Sequence, residues 1–302
     1  MSTETLPPAG GAKALLRFSE IGIVGAGLMG AGIAQVAAAA GLQVRLFDTD
    51  PAAVARGKDQ AAKGLQRLVD KGRLDQDGLE SAMGRIVAAA DLSEVASAGA
   101  VIEAVIESLD IKQKVFSTLS AEADDSTVLA SNTSAISISE IAGSSSRPEQ
   151  IIGMHFFSPV PAMPLCEVIR GYRTSDKTLE AALSLAADLG KQSIVVNRDD
   201  SGFVTSRLMT VLMHEAVRLV EQGIASAEDI DKACVLGFGH KIGPLATADL
   251  TGVDVAYRAG RAIYEGTGDP GYRSPQLLRR MVAAGYLGRK SGQGFYDYEG
   301  AK

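Results

Sequence analysis

The sequence predicts an α/β chain in two parts, a mainly parallel sheet domain followed by an all-helical domain. Two observations carry this. Up to about residue 200, short apolar runs alternate with stretches of helical spacing, the pattern of a parallel sheet covered on both faces. From Phe203 onward almost every stretch has helical spacing. The character changes at Asn197-Arg198-Asp199-Asp200-Ser201-Gly202. The expected parts are 1–17, a disordered tail; 18–200, the sheet domain; and 201–302, the helical domain. A chain of 302 residues with 46% hydrophobic content is long enough for two cores.

The first element is a short β-branched strand, Ile21 to Val24, which runs into Gly25-Ala26-Gly27-Leu28-Met29-Gly30. A helix rich in small residues follows to Ala40. Gly41 breaks it, and a second strand, Val44 to Phe47, ends on Asp48. Strand, glycine turn, helix, strand and acid together make a complete dinucleotide-binding fingerprint of the Rossmann type. Gly25 makes the tight turn, Gly27 lets backbone approach a pyrophosphate, and Gly30 lets the helix pack close to the strand. The helix start at Leu28 and Met29 offers amide N–H groups and partial positive charge to phosphates. Asp48 lies where a carboxylate accepts from a ribose 2′-OH and repels a 2′-phosphate. Thr49 and Asp50 follow it, with no arginine to receive that phosphate, so NAD is the expected cofactor.

Pro51 to Met83 reads as helix folded into a hairpin, punctuated by Lys58, Lys63, Arg67, Lys71 and Arg73. Strands are expected at Ile86-Val87, Ala100 to Ile106, Val128 to Ala130, Ile151 to Phe157, Leu165 to Arg170 and Ser193 to Val196. Helices are expected at Ile111 to Ala121 and Leu179 to Leu189. In the second part Phe203 to Glu221 is a helix, and Ser226 with Asp229 caps the next. Gly237 to Gly243 is a loop, helices continue to Met281, and a glycine-rich stretch, Gly288 to Tyr298, closes the chain.

Composition excludes several classes. The net charge is −6 with no basic run, so nucleic acid is not an expected partner. Cys166 and Cys234 lie far apart and in no CxxC pattern. No disulfide framework or metal site is expected, and a reducing, cytoplasmic setting fits. Residues 1–17 lack the apolar segment of a signal peptide, and no run of apolar residues is long enough to span a membrane.

A hydride-transfer site acting on an alcohol needs a base for the hydroxyl proton, beyond the carboxyl ends of parallel strands. Three expected strand ends carry suitable groups: Glu107 after Val105-Ile106, Ser134 closing Ser131-Asn132-Thr133-Ser134, and His155 before Phe156-Phe157-Ser158-Pro159. Pro159, Pro161 and Pro164 mark a turn that brings Glu167 back beside His155. A carboxylate there fixes the imidazole tautomer and stabilises the imidazolium. Of the other two histidines, His214 is mid-helix and expected to pack or face the surface. His240, in a glycine loop beside Lys241, is expected to be structural.

Several motifs occur together and in order: GxGxMGxGIA, EAVIE, SNTS, HFF.PVP with L.EVI, GF...RL, DI..A, GPL...D..G.D and a final GRK.G.GFY. On these, residues 18 to 298 closely resemble the L-3-hydroxyacyl-CoA dehydrogenases, above all the short, single-function 3-hydroxybutyryl-CoA dehydrogenases. The resemblance implies NAD-dependent oxidation of an L-3-hydroxyacyl-CoA to the 3-ketoacyl-CoA, or its reverse. It implies His155 as general base, Glu167 as its orienting partner, Ser134 on the substrate oxygen, and Asn132 shaping that site. It implies dinucleotide contacts from Gly25, Gly27, Leu28, Met29, Gly30, Asp48, Glu107, Lys112, Ser134, Ser158 and Lys290. Lys71 falls where CoA is held, and Ser206 joins the substrate contacts. The helical domain is expected to bind substrate and to pair two subunits about a two-fold axis. Lys58, Lys63 and Arg67 read instead as a solvated helix face. Glu103 has no assigned role, and Cys166 is expected to pack on the face opposite Glu167.

Two departures from the family pattern stand out. Ser158 replaces the asparagine of the common HFFNP, and Ser201 to Arg207 opens the second domain without the usual proline and with Ser206 before Arg207 where asparagine is common. Both bear on acyl-chain preference more than on the reaction. Two other readings stay open at this stage. One is a dehydrogenase of the same fold acting on a free hydroxy acid or sugar acid. The other is a non-catalytic, crystallin-like dinucleotide-binding protein.

Overall fold

The computed structural model describes residues 18–298; the expected tail, 1–17, lies outside the described residues. In chain order it contains β1 (Glu20–Val24), α1 (Leu28–Ala40), β2 (Gln43–Phe47), α2 (Pro51–Asp70), α3 (Gln76–Gly84), β3 (Ile86–Ala88), α4 (Leu92–Ala96) and β4 (Ala100–Glu103). There follow α5 (Leu109–Glu122), β5 (Val128–Ser131), α6 (Ile138–Ala142), β6 (Ile151–Phe156), β7 (Leu165–Arg170), α7 (Asp176–Asp188) and β8 (Gln192–Val196). Five helices complete it: α8 (Thr205–Glu221), α9 (Ala227–Phe238), α10 (Pro244–Thr251), α11 (Val253–Thr267) and α12 (Gln276–Ala283).

The strands form one sheet in the order β3-β2-β1-β4-β5-β6-β7-β8. The pairings from β3 through to β6 are all parallel. Their carboxyl ends therefore share one edge, and the order reverses between β1 and β4, the switch point where doubly wound sheets bind ligands. Residues 157–164 join β6 to β7 and are too few for a parallel crossover, so β7 returns antiparallel.

Two compact units make up the chain. The first comprises 18–132, Ser144–Val168 and Thr174–Ile194; the second comprises Thr133–Gly143, Ile169–Arg173 and 195–298. In the first, Ile21, Ile23, Val44, Leu46 and Ile102 are fully buried with Ile33, Ala34 and Ala37 of α1. Small residues on α1 let it lie close to the sheet. In the second, Val217, Leu245, Val253 and Leu278 are the fully buried centre. Two buried acids of this unit are structural. Asp231 accepts from Leu245 N and Ala246 N at the start of α10, where the helix dipole favours an anion. Asp249, buried, accepts from Phe295 N, Tyr296 N and the Tyr298 hydroxyl, which folds the glycine-rich end back onto α10. No described helix is long and apolar enough to cross a membrane.

The sequence-expected strand from Ala100 to Ile106 is shorter than its composition suggests. It stops at Glu103 because the Glu103 carboxylate accepts from Val105 N at 2.7 Å and turns the backbone out of the ladder. Ile106 is then 67% exposed and Glu107 sits in the loop before α5, so the residue at the strand end is Glu103. The five-residue helices α4 and α6 show no periodicity to read; each is started by a side-chain cap, Asp91 on Glu94 N and Ser137 on Glu140 N.

Candidate active site

The glycines of the first turn meet their geometric duties. Gly25 has φ 101°, and a Cβ there would lie 2.5 Å from Ala104 O. A Cβ on Gly30 would fall 1.8 Å from Gly25 O, so position 30 tolerates no side chain. Gly27 is the N-cap of α1 without any side-chain cap, and a Cβ there would enter open space. The uncapped amides beside that space suit a pyrophosphate. Asp48 is anchored at both oxygens, Oδ2 by Ala26 N at 2.8 Å and Oδ1 by Asp50 N at 3.1 Å. A carboxylate so placed keeps lone pairs for ribose hydroxyls. It borders a cleft of about 320 Å³ lined mostly by apolar residues, among them Leu92, Ile106, Ile111 and Val115. Mostly apolar walls with one acid fit a nucleoside.

At the end of β4 lies a buried charge cluster. Lys112 is 1% exposed, and its Nζ lies 2.7 Å from Glu103 Oε1 and 3.3 Å from Glu107 Oε2. Ser131, across on β5, donates to Glu103 Oε2 at 2.6 Å. The structure thus brings Glu107 and Lys112 together and adds Glu103 and Ser131, which sequence reasoning left without a part.

His155, on β6, is 7% exposed, and its Nδ1 lies 2.7 Å from Oε2 of the fully buried Glu167 on β7. The antiparallel return places them opposite one another. Asn132 Oδ1 accepts from Phe156 N at 2.8 Å and so holds the end of β6 to the end of β5. The Phe157 ring packs at 4.4 Å from the His155 ring. Cys166, beside Glu167, is fully buried, and burial pushes its thiol up to about 12, so it packs and does not react. The turn after β6 contains a cis Ser158–Pro159 bond. Lys191, half-buried, pins this turn by donating to Val160 O at 2.5 Å and Met163 O at 2.9 Å.

That turn walls a second cleft, of about 540 Å³, with Ser158, Val160 and Pro161 on one side and Gly32, Gly64 and Leu68 on the other. Arg67, Lys71 and Arg73 also line it. Arg67, read from the sequence as part of a solvated helix face, is exposed and also lines this cleft, one turn before Lys71 on the same side of the helix. Gly64 of α2 faces the Gln35 side chain of α1, and a Cβ there would lie 2.1 Å from Gln35 Oε1, so the glutamine amide occupies the space a side chain would take.

Three expected site residues lie in the second unit. Ser134 is exposed in the loop before α6, and Ser206 is half-buried in the first turn of α8. Lys290 pairs with Asp254 at the start of α11.

Models of known families cover almost all of the described chain. The 3-hydroxyacyl-CoA dehydrogenase NAD binding domain matches residues 20–200, and the C-terminal domain of the same enzymes matches 202–298. The chain belongs to the 3-hydroxyacyl-CoA dehydrogenase family. Its first domain is accordingly an NAD-binding domain. Within this dehydrogenase family it is 43% identical to a probable 3-hydroxybutyryl-CoA dehydrogenase of Bacillus subtilis, over 94% of this chain and 99% of the relative. It is 35% identical to the mitochondrial hydroxyacyl-coenzyme A dehydrogenase of Sus scrofa, over 99% and 96%. The crystal structure of (S)-3-hydroxybutyryl-CoA dehydrogenase from Ralstonia eutropha matches with a TM-score of 0.90 and 43% identity, covering 93% of this chain and 99% of that one.

Proposed function

We propose that the protein is an NAD-dependent 3-hydroxyacyl-CoA dehydrogenase that interconverts 3-hydroxybutyryl-CoA and acetoacetyl-CoA. One observation carries the reading: a histidine held by a buried carboxylate, His155–Glu167, on the same strand edge as the dinucleotide fingerprint. NAD, when bound, supplies the hydride acceptor. His155 takes the substrate hydroxyl proton at Nε2, the ring nitrogen not engaged by Glu167. Glu167 keeps Nδ1 protonated and stabilises the imidazolium. Ser134 hydrogen-bonds the substrate oxygen, Asn132 fixes the strand end that carries the base, and Ser206 joins the acyl contacts. Gly25 to Gly30, with Leu28 and Met29, hold the pyrophosphate; Asp48 holds the adenosine ribose; Glu107, Lys112 and Lys290 hold the rest of the dinucleotide. Lys71, joined by Arg67 and Arg73, holds the CoA phosphates, and Ser158 serves where the two ligands meet.

The division between the domains is placed at residue 200, and the helical domain is assigned to substrate binding and to pairing two subunits. Leu208 and Val211 on α8, Leu236 and Phe238 on α9, and Leu250 on α10 are exposed, an apolar surface that a second copy would cover. The two free cysteines fit the cytoplasm.

The test follows NADH oxidation with acetoacetyl-CoA. The wild type turns over. His155→Gln loses about 10²–10⁴-fold in kcat while NADH affinity holds. Equal turnover of free acetoacetate would make the protein a dehydrogenase of free acids. NADH binding without turnover would make it a non-catalytic binder.

A further inference from the structure

Glu103 is a buried charge that the proposed reaction does not use. Both of its oxygens are engaged: Oε1 accepts from Lys112 Nζ and from Val105 N, both at 2.7 Å, and Oε2 accepts from Ser131 Oγ at 2.6 Å. Its side chain is fully buried, and that of Lys112 is 1% exposed. Taking both charges out of water is costly, and an apolar pair of the same volume commonly serves stability as well or better. Stability alone therefore does not account for the pair.

Its position points elsewhere. Glu103 ends β4, beside the β1/β4 switch point, and pairs in register with Val24 on one side and Ser131 on the other. Asp48 ends β2, across the switch. A dinucleotide spanning that point has its adenosine half over β2 and its nicotinamide half beyond β4. Among the described residues, Lys112, hidden from solvent, reaches the open side through Glu107, whose side chain is 42% exposed and lies 3.3 Å away. Glu103 O also accepts from Asn132 N at 2.8 Å, and Asn132 in turn holds the strand end that carries His155.

We propose that Glu103 is a positioning residue for the nicotinamide half of the cofactor. It acts through Lys112 to hold the Glu107 carboxylate where ribose hydroxyls donate to it. Without the Glu103 charge, the buried ammonium has Glu107 as its one carboxylate partner and draws it inward, away from the ligand. This rests on the reading of Glu107 and Lys112 as dinucleotide residues.

The experiment measures NADH and ADP binding by calorimetry in the wild type, Glu103→Gln, Lys112→Met and the double variant, with folding checked by circular dichroism. ADP probes the adenosine half alone. Glu103→Gln is expected to weaken NADH about tenfold, the equivalent of about 1.4 kcal/mol, and to leave ADP unchanged. The double variant is expected to bind NADH no more weakly than the worse single one, because both act through one contact. Equal weakening of NADH and ADP, strictly multiplicative losses in the double variant, or unchanged NADH affinity would each overturn the inference. A wild type that binds no NADH would overturn the proposed function and the inference with it; a wild type that binds while Glu103→Gln binds equally overturns the inference alone. If Glu103→Gln does not fold, Ser131→Ala takes its place in the same cycle. It removes one hydrogen bond from Glu103 and is expected to weaken NADH severalfold, again non-additively with Lys112→Met.

Discussion

Replacing His214 by leucine should remove a specific acid sensitivity of the fold. His214 is fully buried in α8, with Gly260 of α11 so close that a Cβ there would lie 2.3 Å from the imidazole Cε1. Neither ring nitrogen has a partner among the described residues. Burial, with Arg218 one turn on, lowers its pKa from 6.5 to about 4. The native state thus holds a neutral imidazole, and the unfolded chain takes up a proton more readily. The stability this gives is complete above about pH 6.5 and is lost as pH falls toward about 4. With those two values the loss at pH 5 is about 2 kcal/mol. At about 2–4 °C per kcal/mol, wild type should melt about 4–8 °C lower at pH 5 for this reason alone. Leucine has similar volume and no proton to gain. His214→Leu should be at least as stable as wild type at pH 7.5, since it also removes two unpaired buried nitrogens. Its advantage should widen by about 2 kcal/mol at pH 5. The chain has no tryptophan, so melts are followed by far-ultraviolet circular dichroism. A wild-type-to-variant gap that is the same at both pH values would refute the reasoning.

Asp48 should make NADH strongly preferred over NADPH in kcat/KM, and Asp48→Ser should narrow the ratio; equal efficiency in the wild type would remove Asp48 from the ribose. Lys71→Ala, and Arg73→Ala beside it, should raise KM for acetoacetyl-CoA severalfold with kcat nearly unchanged, an effect that shrinks with salt and is absent for a truncated pantetheine thioester. Equal effects on both substrates would return that helix face to solvent. Light scattering at micromolar concentration should show a dimer that Leu208→Glu dissociates, and a monomeric wild type would leave the exposed apolar residues of α8 and α9 to another partner.

What the sequence determined by itself is local. The fingerprint from Ile21 to Asp48 is one strand–helix–strand unit, so glycine positions and the acid at the end of β2 follow from spacing along the chain. His155 and Glu167 are readable for a similar reason: a short proline-marked turn joins two strands, and short connections force antiparallel neighbours. The two-part α/β and helical division also rests on periodicity alone. What only the tertiary structure decided depends on register and on packing between distant segments. Glu103 lies in the same apolar run as Glu107, and nothing in that run says which acid is buried. The register of β4 against β5 sets Glu103 opposite Ser131, and the docking of α5 brings Lys112 onto Glu103. Arg67 and Arg73 become cleft residues because the turn after β6, pinned by Lys191, stands opposite α2. His214 is buried because Gly260, far along the chain, leaves room for its ring. Side-chain type and spacing reveal what one segment does; the desolvation that gives a charge or an imidazole its energy comes from whatever packs across from it.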